Sequence, residues 1–424
     1  MNESPIRGRR ALVRALAGAG FATAAAAASA ATIHVPADVS TIQAAIGTAS
    51  PGDTVLVAPG TYHESIDFLG KDITVASEQG AAATIIDAGG LHPVVRFHSH
   101  ETRAAVLRGF SLRNGNPALD DYPDGGGVQI LYASPTVEYN DVSDSSACDG
   151  NGIDVAFSSA LVRHNHVHDN HQNGCDGGTV GGGIEIGGHG HAEVSDNVVE
   201  NNRTDMAGGG IGMNAAGKPI VTRNIIRNNV AGFSGGGVAT MNDSKPYFAD
   251  NVVYGNTAPQ GGGLDIDVPY GSTGGTWINN TVADNLGQLA GSELYTGGFV
   301  QALNLGNNIF RTTRGPSGIY CDPTYTPISP IFTTNDLLAT TGTVATGSCA
   351  GVFASGGNVS VDPLFASGNA AAPYKLSAHS PAIDAGTATT LAGTTDAAGK
   401  PRVADGNGDG SAVIDLGAYE RQPR

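Results

Sequence analysis

Short runs of alternating apolar and polar residues recur along most of this chain at a nearly constant interval. In each run two apolar residues flank one central residue, and a period of two is the pattern of a β-strand with one buried face. The clearest runs are Val128-Gln129-Ile130, Ile153-Asp154-Val155, Ile184-Glu185-Ile186, Ile211-Gly212-Met213, Val238-Ala239-Thr240 and Leu264-Asp265-Ile266. The pattern predicts many short strands with no helix between them.

Two further signals share this spacing. Glycine triplets begin at Gly181, Gly208, Gly235 and Gly261, which lie 26 or 27 residues apart. A motif Asn-x-Val/Ile follows each strand run about a dozen residues later, at Asn140, Asn165, Asn197, Asn224, Asn251, Asn280 and Asn307. Gly and Asn favour the left-handed backbone of tight corners. Each repeat is therefore predicted to be one coil of two or three strands joined at Gly and Asn corners.

Strands this short cannot pair within one repeat, so each must pair with its equivalent in the next. In-register stacking gives an all-β solenoid of parallel sheets with rungs about 4.8 Å apart. One column of the predicted interior consists of Val142, Val167, Val199, Ile226, Val253, Val282 and Ile309. Stacked Asn amides are expected to bond along the ladder.

The N-terminal part of the repeat region contains one helical signal. "STIQAAIGTA" begins with a capping box, Ser40-x-x-Gln43, and has an apolar stripe at Ile42 and Ile46. We expect a short helix here that covers the open edge of the first rung. The first strand is expected at 54–58.

Both ends of the chain resemble known proteins. "TIQAAIGTASPGDTVLVAPGTYHESIDF" resembles the start of right-handed parallel β-helix proteins of the pectin-lyase-like superfamily, and the repeats are similar to theirs. "SPAIDAG" and the final "DLGAYE" resemble a C-terminal module of exported bacterial β-helix proteins. The resemblance implies a single-stranded right-handed β-helix over 52–345, an N-terminal cap over 31–51 and a C-terminal capping module over 346–424.

Composition and the N-terminus indicate where such a protein works. The basic "RGRRALVR", the apolar "ALAGAGFATAAAAA" and the small residues Ala28-Ser29-Ala30 predict an export signal over 1–30. Arg9 and Arg10 leave the twin-arginine and general secretory routes both open. We expect a secreted or periplasmic, extracellular protein that is monomeric and has no transmembrane segment. A net charge of −17 argues against nucleic acid as a partner.

The four cysteines follow the repeat. Cys148 and Cys175, and likewise Cys321 and Cys349, are separated by about one coil. Residues one coil apart lie side by side, so the disulfides Cys148–Cys175 and Cys321–Cys349 are predicted, in keeping with an oxidising compartment. Four free buried thiols are the alternative.

Candidate chemistry lies on the central residues of the strand runs, which are expected to point outward. Asp154 and Glu185 fall on adjacent rungs, where their carboxylates could share a Ca²⁺ ion or shift each other's pKa. The small residues Gly212 and Ala239 predict a shallow trough beside these acids, and Lys218 and Lys245, one period apart, are expected farther along it. The two acids and the two lysines are the candidate catalytic set, although a merely solvated polar face would have the same pattern.

A second cation site is suggested near the C-terminus. Asp405-x-Asn407-x-Asp409-Gly410 copies the first half of a calcium loop. The loop lacks its final acid, and Asp415 lies one residue early. Ca²⁺ binding by these residues and a purely polar turn are both open.

Histidines form a third candidate. His164, His166 and His168 alternate along one predicted strand, and His171 follows. Side chains on one face of a strand are about 6.6 Å apart, which is wide for one shared zinc ion. A solvated His-rich strand is therefore favoured over a metal site.

Two functions remain open. The first is a polysaccharide lyase or related glycan-modifying enzyme, with glycoside hydrolysis as the runner-up chemistry. In β-elimination a base removes the proton α to a uronate carboxylate while a cation neutralises that carboxylate; in hydrolysis a carboxyl pair acts as acid and base or nucleophile. The second function is non-catalytic binding of glycan or protein. An extended polysaccharide is the expected partner in the first case.

Overall fold

The protein is described from a computed structural model that covers residues 30–172, 180–267, 274–297, 303–324, 330–367, 372–389 and 392–423. Short strands from successive coils pair in parallel, and the pairing is in register almost throughout. Three sheets, here called A, B and C, follow one another around the coils, and a fourth, sheet D, lies between sheets B and C in four of the described coils. The predicted all-β parallel solenoid is confirmed.

Sheet A has twelve strands among the described residues. In order along the sheet they are Thr32–Val35, Thr54–Val57, Thr74–Ser77, Val106–Arg108, Thr136–Glu138, Leu161–Arg163, Glu193–Ser195, Ile220–Thr222, Tyr247–Ala249, Thr276–Ile278, Asn304–Gly306 and Ile331–Thr333. Its first strand lies inside the segment expected to form the N-terminal cap, and it pairs with Thr54–Val57.

Sheet B has eleven strands in the part of the chain that the structure describes. They are Gly60–Tyr62, Thr84–Asp87, Ser111–Arg113, Asp141–Ser143, His166–His168, Val198–Glu200, Ile225–Arg227, Val252–Tyr254, Thr281–Ala283, Ile309–Thr312 and Asp336–Ala339.

Sheet C also has eleven strands within the described ranges, and sheet D has four. Those of sheet C are Ile66–Asp67, Val95–Phe97, Val128–Leu131, Ile153–Ala156, Ile184–Gly187, Ile211–Asn214, Val238–Met241, Leu264–Asp267, Leu294–Gly297, Ser317–Cys321 and Thr343–Gly347. Those of sheet D are Arg203–Thr204, Val230–Ala231, Thr257–Gln260 and Leu286–Ala290.

The predicted helix is present at Ile42–Thr48 and buries Ile42 and Ile46. Its N-cap is Thr41, not Ser40, because the Thr41 hydroxyl accepts a hydrogen bond from the Ala44 N–H. The carboxylate of Glu64 accepts from the N–H groups of Ile42 and Gln43 and so satisfies two further free donors of the first turn. The capping box therefore does not form.

Asparagine ladders hold successive coils together at the corner between sheets A and B. In the middle of the ladder, the side chain of Asn224 accepts from Asn197 and donates to Asn251, and both contacts are 3.0 Å long. The seventh member is Asn308 and not the predicted Asn307, and its inward neighbour is Phe310 and not Ile309. The adjacent asparagines allowed two registers, and the interior accepts Phe310 as readily as a branched aliphatic residue.

One predicted disulfide is present between Cys321 and Cys349, whose Cα atoms are 5.4 Å apart. Cys148 is also disulfide-bonded. The predicted partner of Cys148, Cys175, lies outside the described residues, so that pairing stays a prediction.

The C-terminal segment expected to be a capping module contacts the sides of several coils near the corner between sheets A and B. The buried guanidinium of Arg402 pairs with the buried carboxylate of Asp250. Farther along, the Ala418 N–H donates to the Thr281 hydroxyl (2.9 Å), and the Tyr374 hydroxyl bonds Asp284 (2.9 Å).

Candidate functional site

The central residues of the sheet C strands form one continuous column. Register pairs Gln129 with Asp154, and Asp154 with Glu185. In chain order the column contains Asp67, Arg96, Gln129, Asp154, Glu185, Gly212, Ala239, Asp265, Tyr295 and Tyr320. Asp154 and Glu185 are therefore cross-strand neighbours, as the repeat predicts.

The side chains of the column point away from the core, but those of Asp154 and Glu185 are not open to solvent. Asp154 is 1% exposed and Glu185 is 6% exposed. The cause is the glycine corner before each strand, where the first glycine has a positive φ, +57° at Gly150 and +77° at Gly181. These corners fold back over the strand, so that a methyl group on either glycine would lie 2.8 Å from the Cα of the central residue.

The expected shallow trough beside the acids is therefore wrong. Gly212 lies under the preceding coil, where a methyl group on it would be 2.2 Å from a methyl of Val180. Ala239 is fully buried. Small residues are needed here because the corner covers them, and they do not open a groove.

Two connections that lead into glycine corners, one ending at Asp124 and the other at Asp149, cover the acidic part of the column. The side-chain amide of Gln129 donates to the carbonyls of Tyr122 (2.9 Å) and Asp124 (2.8 Å). The carboxylate of Asp124 accepts from the Asp149 N–H on the next coil (2.9 Å). That of Asp149 accepts from the Val180 N–H (2.6 Å). The connections are thus bonded to the column and to one another.

Four carboxylates share this covered region, namely Asp124, Asp149, Asp154 and Glu185. Burial raises the pKa of Asp149 to about 6. Burial and the neighbouring carboxylates hold the pKa values of Asp154 and Glu185 well above their usual range. Without a counter-charge, the cluster therefore retains protons near neutral pH.

Sequence reasoning missed Asp124 and Asp149. A signal for them existed, because each directly precedes the first glycine of a corner and the two are 25 residues apart. Equivalent positions on adjacent coils are neighbours, so both acids belong to the same place as Asp154.

Both carboxylate oxygens of Asp154 are enclosed, and no basic side chain pairs with them among the described residues; their polar neighbours are the carboxyl group of Glu185 and the hydroxyl of Tyr122. A buried carboxylate without a basic partner is costly unless it is protonated or meets a cation. Four oxygen-donor groups are the ligand set that a hard cation such as Ca²⁺ prefers. The residues present therefore fit the expected Ca²⁺ ion.

Among the described residues, neither of the two predicted lysines forms an ion pair with the acids of the column. Lys218 is exposed at the corner between sheets C and A, on the coil next to that of Glu185. Lys245 is one coil farther and pairs with Asp243 at 2.7 Å. The lysines are neighbours, since the Lys245 N–H donates to Gly217.

The predicted C-terminal calcium loop is closed by its own backbone. Asp405 accepts from the N–H groups of Gly408, Asp409 and Gly410 through both carboxylate oxygens, and Asn407 accepts from Asp409.

Asp415 does not join this loop. Its buried carboxylate accepts from the N–H groups of Asp384 and Arg421 instead, and its own N–H donates to Glu420. Asp415 is therefore not a ligand of this loop, and Ca²⁺ binding by Asp405, Asn407 and Asp409 stays a prediction.

The structure contains no helix long and apolar enough to span a bilayer among the residues it describes.

The family described as "Right handed beta helix region" matches residues 176–329. A solved structure of pectate lyase Pel9A has a TM-score of 0.51 and 16% sequence identity, with 90% of this chain and 91% of that chain covered. This chain therefore has the right-handed parallel β-helix fold.

A mannuronic acid specific polysaccharide family 6 lyase from human gut microbiota has a TM-score of 0.40 and 13% identity over 74% of this β-helix chain and 83% of its own. No curated protein sequence matches.

The stability of this β-helix is expected to fall as pH rises from about 4 to about 8. The folded-state pKa values of Asp149, Asp154 and Glu185 lie above their unfolded values, so the folded chain binds more protons in this window and loses stability as they leave. Asp154→Asn should flatten the dependence in thermal melts with EDTA. Asp205→Asn, at an exposed acid, should leave the slope unchanged. Equal slopes in all three proteins would contradict the expectation.

Proposed function

We propose that this protein is a carbohydrate-active β-helix that binds a uronate-containing polysaccharide beside sheet C and cleaves it by Ca²⁺-assisted β-elimination. The proposal rests on the covered cluster of four carboxylates around Asp154, none of which pairs with a basic side chain among the described residues. The fold shared with a pectate lyase supports it as an analogy.

Burial of the acid pair favours elimination over hydrolysis. In a glycoside hydrolase both carboxyl groups must reach the glycosidic bond. Asp154 is covered by its glycine corner and cannot make that contact without rearrangement. The cluster is better suited to holding a cation beneath the polymer.

Ca²⁺ bound by Asp124, Asp149, Asp154 and Glu185 would neutralise a uronate carboxylate and so make its α proton more acidic. Lys218 is the candidate proton acceptor, because Lys245 is already paired with Asp243. The connections through Tyr122 and Asp149 keep water away from the acids. The cation would also reduce the repulsion between an anionic polymer and a chain of net charge −17.

An exposed aromatic pair next to the cluster offers a surface for sugar rings. Tyr132 and Phe157 lie on adjacent coils, each three residues beyond a column residue, with ring centroids 4.7 Å apart. About half of each side chain is exposed, 53% and 49%. One face of Phe157 packs on Tyr132 and the other lies over Gly188, so the exposed ring edges are what a pyranose ring would contact.

A second candidate function is glycan binding without chemistry. It is favoured by the positions of the lysines, since neither contacts the acids and Lys245 has its own carboxylate partner. The two functions share the aromatic pair and differ only in whether the polymer is cleaved.

The test is incubation of the protein with uronate-containing and neutral polysaccharides, with Ca²⁺ or with EDTA. Appearance of an unsaturated uronate in the ultraviolet, only with Ca²⁺, is the expected result. New reducing ends without that absorbance would indicate hydrolysis instead. Binding by affinity electrophoresis without any cleavage would support the second function, and neither binding nor cleavage would reject both.

Phe157→Ala is expected to raise KM about 5-fold and to leave kcat nearly unchanged, because such an aromatic contact is worth about 1 kcal/mol and acts equally on substrate and transition state. Phe233→Ala is the matched control, since Phe233 is 55% exposed at a different corner. Steady-state kinetics, or affinity if cleavage is absent, checks this. Equal effects of both variants would show that the aromatic pair is not a specific contact surface for the polysaccharide.

A further inference from the structure

A second cluster of ligand-type side chains lies on sheet B, away from the sheet C column. Register places Asp141 beside His166 on adjacent coils, and His168 lies two residues beyond His166. The imidazole rings stack with their centroids 4.0 Å apart. The spacing of about 6.6 Å expected between alternate side chains of this strand is therefore wrong for these two rings, because both turn towards one carboxylate.

Both histidines converge on Asp141. His166 Nδ1 is 3.2 Å from Oδ2 of Asp141, and His168 Nε2 is 3.2 Å from each of the two carboxylate oxygens. Ligand atoms about 2.1 Å from a tetrahedral metal ion are themselves about 3.4 Å apart. The spacing between ring nitrogens and carboxylate is therefore already close to that of a metal site.

The outer ring nitrogens are also fixed by carboxylates. His166 Nε2 lies 2.7 Å from Glu200, and His168 Nδ1 lies 2.7 Å from Asp169. Glu200 is in turn held by Arg227. A metal-binding histidine usually donates its second N–H to a carboxylate, which fixes the tautomer and orients the ring. Both histidines of this cluster have that partner.

We propose that Asp141, His166 and His168 form a binding site for a zinc-class divalent metal ion. Two imidazoles and one carboxylate suit Zn²⁺ and leave a fourth position for water. All three side chains are partly exposed, 30%, 40% and 20%, so an ion can enter from solvent. Ca²⁺ prefers oxygen ligands, so a set with two imidazole nitrogens disfavours it. This site therefore differs in metal preference from the carboxylate cluster on sheet C.

One other histidine of the segment provides a matched control. His164 is exposed at the corner, where its ring stacks on Tyr139 at 4.8 Å and lies outside the cluster. His164→Asn keeps a residue that tolerates the left-handed backbone found there. It should not change metal binding.

The experiment is equilibrium dialysis of the untagged full chain against Zn²⁺ in chelator-free buffer, with visible absorption of the Co²⁺-substituted protein as a second readout. One metal ion per chain and a tetrahedral Co²⁺ spectrum are expected. The double variant His166→Asn and His168→Asn should lose both, whereas His164→Asn should retain them. Absence of stoichiometric binding by the wild type, or equal binding by the double variant, would overturn the proposal.

Glu200→Gln tests the outer carboxylate and keeps all three ligands. Loss of an outer-shell partner is expected to weaken Zn²⁺ about 10- to 100-fold without abolishing the Co²⁺ spectrum. This variant also serves if the double variant fails to fold. Unchanged Zn²⁺ affinity in folded Glu200→Gln, with its melting temperature preserved, would show that the histidines are not oriented for a metal and would count against the site.

Discussion

Replacing Asp154 by Asn is expected to lower turnover of the cleaved polysaccharide by at least about 100-fold, because the substitution removes a charge at the centre of the proposed Ca²⁺ site. Asn keeps the size of the side chain, and its amide can donate to the Glu185 carboxylate in place of the proton that the two acids share. The fold should therefore persist. The measurement is the initial rate of both proteins at a Ca²⁺ concentration that saturates the wild type.

Asp265→Asn is the control for this variant. Asp265 occupies the same column four coils farther along, is similarly buried, and has its pKa raised to about 7, chiefly by desolvation. It should change turnover less than about twofold. If Asp154→Asn kept full activity, the carboxylate cluster would have no part in the chemistry. If excess Ca²⁺ restored part of the lost rate, weakened cation binding would be the cause.

The fold could be predicted from sequence because the repeat encodes it locally. Each coil carries its own glycine corner, strand run and asparagine, so register between coils follows from counting residues. The error at Asn307 shows the limit of counting, since Asn307 fits the motif Asn-x-Val/Ile but the ladder uses Asn308 and places Phe310 inside.

The candidate site was only partly predictable. Periodicity placed Asp154 beside Glu185, but it could not show that a corner folds back over them, because that depends on the positive φ of Gly150 and Gly181. The zinc-class cluster was missed for a related reason. Spacing along one strand separates His166 from His168, whereas Asp141 from the neighbouring coil draws the two rings together.

The asparagine ladder should give the largest effect on stability. The Asn224 side chain is fully buried and makes four hydrogen bonds: it accepts from the backbone and side-chain amides of Asn197 and donates to the Val194 carbonyl and to Asn251. Leu at this position would have nearly the same volume but would make none of them. Every partner would then be left buried with at least one bond lost.

We expect Asn224→Leu to lower the free energy of unfolding by about 3–5 kcal/mol, because each stranded buried polar group costs about 1–3 kcal/mol and relaxation recovers part of the sum. Denaturant melts measure the change. Asn228→Gly is the control, since Asn228 is exposed at a left-handed corner that glycine also tolerates, and it should stay within about 0.5 kcal/mol of wild type. A loss below about 1 kcal/mol at Asn224 would mean that inward apolar packing alone, without the amide ladder, sets the register of the coils.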